Sequence, residues 1–111
     1  MIYVFEIGIR PGYTAEQYAE AWVRTSELIQ QAPGARGTRL HRKIGDPDRL
    51  LAIASWDSKA KRDAAGINRN EEIQAIVRSQ APYVDISFIG EFEDPDWVVL
   101  PESAPDGEFV P

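Results

Sequence analysis

The chain has 111 residues, 43% hydrophobic and 27% charged, which is ordinary for one globular domain with a modest core. It contains no cysteine, which excludes disulfides and thiolate chemistry, and no apolar run approaches the ~20 residues of a membrane span. The net charge of −6 lies at one end, because residues 1–90 carry +1 and residues 91–111 carry −7. Without a basic stripe we expect no nucleic-acid partner. No membrane association is expected either, and a start without a signal pattern favours a cytoplasmic location.

The first half of the chain alternates strand and helix patterns. Residues 2–9 are rich in strand formers on both faces and end at Arg10-Pro11-Gly12. Thr14 and Gln17 form a capping box that predicts the start of a helix, which Pro33-Gly34 ends. The apolar stripe of this helix includes Tyr18 and Trp22.

Three further strands and two helices follow. Residues 37–44 predict a polar strand that turns at Gly45-Asp46-Pro47, and residues 50–55 predict a buried one. Ser58 precedes a short helix over residues 59–65. Asn68 or Asn70 begins the next helix, and residues 84–92 alternate as the last strand.

This order predicts a β-α-β-β-α-β domain over residues 1–92. We expect an α+β, ferredoxin-like protomer with a four-stranded antiparallel sheet and helices on one face. Since the first strand is apolar on both faces, the uncovered face needs a partner, and a second copy of the chain is the simplest one. The sequence therefore predicts a homodimer built sheet to sheet.

Residues 93–111 form an acidic, proline-rich C-terminal arm. Four of the eight prolines lie there, together with the apolar run Trp97-Val98-Val99-Leu100, which a simple disordered tail rarely contains. We expect the part from Asp94 to about Leu100 to dock as an extended segment on its own or the partner protomer, with Trp97 as the anchor.

The turns of the chain also resemble those of a known family. The matching features are Arg10-Pro11-Gly12, Trp22, the segment Ala32-Pro33-Gly34-Ala35-Arg36-Gly37, Gly45-Asp46-Pro47 and Ile53-Ala54-Ser55-Trp56-Asp57-Ser58. Over about residues 1–92 the chain resembles the antibiotic-biosynthesis-monooxygenase-like (ABM) family of dimeric α+β barrel proteins. The resemblance implies a sheet that pairs with a second sheet across a twofold axis. It also implies cofactor-independent oxygenation of phenolic or polycyclic substrates, or haem degradation.

Haem degradation is not expected of this chain. Haem-degrading members share an Asn on the first strand and a His on a later helix. This chain has Glu6 and Ile7 near the first position and no His after His41. We therefore expect no cofactor, and one His with no Cys gives no ligand set for a metal.

Cofactor-free oxygenation needs an apolar cavity, a proton acceptor and donors for an oxyanion. The substrate-binding candidates, expected between sheet and helices, are Phe5, Tyr18, Trp22, Trp56 and Arg69. The catalytic candidates are Glu6, His41 and Asn68. Each aromatic side chain has the alternative role of a core residue, and Asn68 that of a helix cap. His41 would otherwise be a solvent-facing strand residue, and Glu6 would form an ion pair with a basic residue of a neighbouring strand or face solvent at the edge.

Two functions from different classes stay open at this point. One is a small cofactor-independent monooxygenase acting on an aromatic or polyketide-like substrate. The other is a non-catalytic ligand-binding or auxiliary protein of the same fold. Isomerase or cyclase activity on similar substrates cannot be separated from these by sequence.

Overall fold

The computed structural model describes residues 1–102 and confirms the predicted fold. Four strands alternate with helices in the predicted order; they are β1 (Ile2–Ile9), α1 (Ala15–Ile29), β2 (Ala35–Lys43), β3 (Asp46–Trp56), α2 (Lys59–Ala64), α3 (Glu71–Gln80) and β4 (Val84–Phe92). A 3₁₀ turn, Ile67–Arg69, joins α2 to α3. The strands form one antiparallel sheet in the order β2-β3-β1-β4, as in a ferredoxin-like protomer. None of the helices in residues 1–102 is long and apolar enough to cross a membrane.

Side-chain caps fix where the helices begin. The Thr14 hydroxyl accepts a hydrogen bond from the Gln17 backbone N–H, and the Gln17 side chain accepts one from the Thr14 N–H, which is the predicted capping box. The Asn70 carboxamide, not that of Asn68, accepts from the Ile73 N–H and begins α3. This leaves the Asn68 side chain free of a capping role.

The β2–β3 hairpin is longer than predicted. β3 begins at Asp46, four residues before the predicted start, because Asp46 pairs with Lys43 across a tight turn. Pro47 lies inside this strand, although it has no N–H to donate. β1 pairs with β3 only from Arg49 onward, so Pro47 occupies an edge position where a proline is tolerated.

The register assigns each strand residue to one face of the sheet. Phe5 pairs with Ala52 and Phe88, and Ile7 pairs with Leu50 and Ile86, so these residues share the face that the helices cover. The core forms here, where Ile7 is completely buried and packs with Ala15, Tyr18, Leu50, Ala52 and Val84. Adjacent residues therefore lie on the opposite, open face.

The open face carries an apolar row that no helix covers, although neighbouring side chains leave Val4 only 8% exposed. It is made of Ile2, Val4, Leu51, Ile53 and Phe92, from three neighbouring strands. Phe92 is 49% exposed there. Charged groups border the row, among them Glu6 and Arg49, which form an ion pair.

The arm begins close to the first residue of the chain. The Met1 amino group donates hydrogen bonds of 2.9 Å to the Trp56 carbonyl and to the Asp94 carboxylate. Beyond this point Trp97 is 88% exposed, so the arm does not dock on its own protomer through Trp97. Docking on a partner stays a prediction, and residues 103–111 of the predicted arm lie outside the described residues.

Candidate functional site

A cavity of about 300 Å³, partly open to solvent, lies between the covered face of the sheet and the helices. Its walls come mainly from β1, β3, α1 and α3, with single residues of β2, α2 and β4 and the segment that joins α2 to α3, and they are mainly apolar. About 300 Å³ is the lower end of the range for ligand pockets, which suits a small aromatic compound.

Four of the five predicted substrate-binding residues line this cavity together. Phe5 faces it because β1 alternates faces, and Tyr18 and Trp22 face it from successive turns of α1. Trp56, at the end of β3, is only 2% exposed and closes one wall. The structure therefore assembles one aromatic site from three separate elements, and the binding role of these side chains stays a prediction.

Asn68 and Arg69 follow each other in the 3₁₀ turn but have different surroundings. Asn68 lines the cavity, whereas Arg69 lines only a smaller neighbouring hollow of about 130 Å³. Arg69 is thus separated from the aromatic side chains with which the sequence grouped it, because consecutive residues of a tight turn point in different directions.

Glu6 and His41 lie outside the cavity, on the open face of the sheet. Both pair in register with Leu51, whereas Phe5 and Leu40, their neighbours in sequence, pack against the core. The alternation of strand residues sends both side chains away from the aromatic cavity, and their catalytic roles stay predictions. Glu6 pairs with Arg49, whose pKa is raised by this hydrogen bond and charge. His41 is exposed.

Tyr18 provides a neutral hydroxyl to the cavity. The residue is 6% exposed, and burial raises the pKa of its phenol to about 12. No described residue hydrogen-bonds this hydroxyl. In residues 1–102, every fully enclosed side-chain oxygen or nitrogen has a hydrogen-bond partner, so the Tyr18 hydroxyl is not fully enclosed. The hydroxyl must therefore reach the open space, where it can donate a hydrogen bond but cannot act as a base near neutral pH.

Arg62, on α2, and Tyr3, on β1, form a part of the wall that the sequence interpretation did not include. The guanidinium carbon lies 4.0 Å from the centre of the Tyr3 ring, a cation–π contact. Tyr3 in turn packs on Phe88 with the ring centres 4.8 Å apart. Tyr3 could have been found from the strand alternation, since it shares a face with Phe5. For Arg62 the sequence gives no such signal, because α2 has six residues, none of them buried.

Two glutamines complete the polar lining. Gln80 accepts a hydrogen bond from the Tyr13 hydroxyl, and the Gln74 amide donates one to the Ile67 carbonyl. Both side chains are thereby held in one orientation. In the described part of the chain no group of three His, Cys, Asp or Glu side chains is placed to hold a metal ion.

Together, the ferredoxin-like sheet and the aromatic cavity beneath its helices define a small α+β protein with one mainly apolar cavity among the described residues. The model of the family described as antibiotic biosynthesis monooxygenase matches residues 1–79. The chain therefore belongs to the antibiotic biosynthesis monooxygenase family, as its turn residues predict.

Solved structures share the fold at low sequence identity. SnoaB from Streptomyces nogalater, a cofactor-independent oxygenase solved as a variant, is 12% identical with a TM-score of 0.68, covering 86% of this chain and 96% of its own. PA3566 from Pseudomonas aeruginosa is 17% identical with a TM-score of 0.61, covering 83% and 93%. A protein of unknown function from Bacteroides thetaiotaomicron is 9% identical with a TM-score of 0.66, covering 79% and 90%. No curated protein matches the sequence. At these identities the likeness establishes the fold alone.

Proposed function

We propose that the protein is a small cofactor-independent monooxygenase that oxidises an aromatic or polyketide-like substrate in the cavity. The observation that carries the proposal is the convergence of Phe5, Trp22 and Trp56 with the Tyr18 hydroxyl and the Asn68 carboxamide on one space. Family membership and the activity of SnoaB, a structural relative, support the same reaction class.

The reaction needs only the substrate and oxygen. A ring CH₂ beside an enol or phenol loses a proton, and the resulting carbanion gives its electron pair to O₂ and forms a C–O bond. Protonation yields a hydroperoxide, whose O–O bond breaks as the remaining C–H proton leaves. The products are a carbonyl group and one water, so the substrate supplies four electrons and keeps one oxygen atom.

The side chains assist these reaction steps through their positions and their polarity. The aromatic walls keep water from the carbanion, and the neutral Tyr18 hydroxyl donates a hydrogen bond to oxygen that gains negative charge. Asn68 offers both a donor and an acceptor. Among the described lining residues there is no carboxylate and no imidazole, so the substrate ionises through its own acidity.

We also propose that the working unit is a homodimer of two open sheet faces. Members of this family are typically dimeric. The apolar row of the open face supports such an interface, because a second copy would remove the exposed part of Phe92 and of the partly buried Ile2, Leu51 and Ile53 from water. Sedimentation at micromolar concentration tests this, and a stable monomer would refute it.

Oxygen uptake tests the catalytic proposal. Anthrone-like and hydroquinone-like compounds are offered without flavin or metal and in the presence of a chelator, and ¹⁸O₂ should place one labelled atom in the product. Loss of the donor in Tyr18→Phe is expected to lower kcat by about a hundredfold if the hydroxyl contacts the oxyanion. The predicted roles of Glu6 and His41 are tested in the same assay, since unchanged turnover in Glu6→Gln and His41→Gln would exclude both as bases.

The second candidate is a non-catalytic binding protein for the same compounds. The specific observation in its favour is the cavity itself, whose described lining holds no group that could act as a base near neutral pH. Binding of the aromatic compound without oxygen uptake, by protein whose cavity residues are intact, would decide for this candidate and against the monooxygenase.

A further inference from the structure

Arg62 places a positive charge at the cavity wall, and among the described residues one carboxylate forms a long ion pair with it. Its side chain is 20% exposed, and the nearest carboxylate, that of Asp63, lies 3.9 Å away. At 3.9 Å this ion pair is too long to be a hydrogen bond. A partly buried guanidinium whose ion pair is this long still gains from an anionic acceptor at hydrogen-bond distance.

Tyr3 determines which part of this guanidinium is free. The Tyr3 ring covers the guanidinium at 4.0 Å, and both side chains line the cavity. Stacking on a ring occupies the face of the planar group and leaves its N–H edge available. That edge is the part that recognises an oxyanion.

Arg62 is also the only ionised side chain in the described lining. Every other residue of the wall is apolar or neutral and polar, with no Asp, Glu, Lys or His. Asp63, which pairs with Arg62 at 3.9 Å, is not part of the lining, so the charge that faces the cavity is positive and favours a guest with a single negative charge. The net charge of −6 of the whole chain would otherwise disfavour such a guest.

We propose that the cavity selects monoanionic aromatic compounds, namely phenolates and enolates whose acidic hydroxyl is already deprotonated in solution, and that Arg62 binds the anionic oxygen. The inference rests on the proposed function and adds the charge state of the substrate to it. Where the anion is the enolate of the reacting CH₂ group, its carbon already carries the electron pair that goes to O₂, so the first proton is lost in solution and the site needs no base for that step. The rings then lie against Phe5, Trp22 and Trp56.

Two probes with the same bicyclic ring system test the inference directly. 2-Hydroxy-1,4-naphthoquinone is an acidic enol that is an anion at pH 7, and 1,4-naphthoquinone is its neutral counterpart. The chain has no cysteine for the quinones to alkylate. Binding is measured under nitrogen by titration calorimetry, for the wild type and for Arg62→Gln, Arg62→Lys and Arg24→Gln. Arg24 is an exposed arginine of α1 away from the cavity and controls for the loss of net charge.

The wild type is expected to bind the anion at least about tenfold more tightly than the neutral quinone. Arg62→Gln should remove this preference and leave the affinity for the neutral quinone unchanged. Arg62→Lys should keep part of the preference, and Arg24→Gln all of it. In the wild type, added salt should lower the affinity for the anionic quinone and leave the affinity for the neutral quinone unchanged. This measurement needs no variant, so it tests the proposal even if Arg62→Gln folds poorly.

Each contrary outcome has its own meaning. Equal affinity of the wild type for both quinones, or an equal loss for both in Arg62→Gln, would overturn the role of Arg62 and leave an aromatic-binding cavity in place. Failure of the wild type to bind either quinone would instead refute the aromatic cavity on which the proposed function depends.

Discussion

The Arg62 guanidinium stacks on the Tyr3 ring, with 4.0 Å between the guanidinium carbon and the ring centre. This contact joins the shortest helix to the first strand, because no residue of α2 is buried and its hold on the sheet depends on such surface packing. It also keeps a charged group at the wall of an otherwise uncharged cavity.

Replacing the Tyr3 ring should loosen the Arg62 side chain. Tyr3→Leu removes a cation–π contact that is typically about 0.5–2 kcal/mol, so the affinity for the anionic naphthoquinone should fall a few-fold. Tyr3→Phe keeps the ring and should bind like the wild type. If both variants lose affinity equally, the tyrosine hydroxyl and not the ring is responsible.

The core should be most sensitive at the centre of β1. Ile7 is completely buried among α1, β3 and β4, and Ile7→Ala should lower the free energy of unfolding by about 2–5 kcal/mol in urea titrations. Ile44→Ala is the matched control, because Ile44 is 99% exposed in the β2–β3 turn and its replacement should hardly change the free energy of unfolding. A loss in Ile44→Ala comparable to that in Ile7→Ala would contradict the assignment of the core.

High pH should destabilise the protein through Tyr18. The phenol pKa is raised from 10.0 to about 12 in the folded chain, so the unfolded chain releases its proton first. Stability due to the neutral buried phenol is complete below pH 10 and is lost as the pH rises toward 12. Unfolding titrations at pH 8 and 11 should show a larger loss for the wild type than for Tyr18→Phe, and equal losses would contradict the buried phenol.

The arm should matter for association and not for folding of the protomer. Ending the chain after Asp94 keeps the ion pair with Met1 but removes Trp97, which is exposed in the protomer. If Trp97 docks on a partner, the Kd of the dimer should rise by about tenfold or more, because burying a tryptophan contributes about 1.5–3 kcal/mol. Sedimentation over a dilution series measures this.

The matched control for the arm ends after Glu102 and retains Trp97. It should associate like the full chain. Identical Kd values for the two shortened chains would show that Trp97 takes no part in the dimer, and the predicted docking of the arm would then be wrong.

Local signals in the sequence were sufficient for the fold. The Thr14 capping box, the Pro33-Gly34 stop and the strand over residues 84–92 depend on a few neighbouring residues, and the structure confirms each of them. The start of β3 at Asp46 was missed because it depends on how tightly the hairpin closes.

The candidate site could be predicted only where a side chain followed a periodic pattern. Phe5, Tyr18 and Trp22 lie on the apolar faces of regular elements, so the sequence placed them in one cavity. Glu6 was harder, because its partner Arg49 lies diagonally across the neighbouring strand, and diagonal partners depend on a register that the sequence does not state. Arg62 depends on where a six-residue helix rests on the sheet, which is a tertiary contact.

α2 is the element that sets the charge of the site and the one that contributes least to the core. None of its six residues is buried. Gly34, with φ +89°, lies in the loop between α1 and β2, and a Cβ on it would be 2.5 Å from the Lys61 side chain. Surface residues away from such contacts usually change stability by no more than about 0.5 kcal/mol when substituted. An exchange on this one short helix can therefore change the charge of the cavity wall while the sheet and its core stay intact.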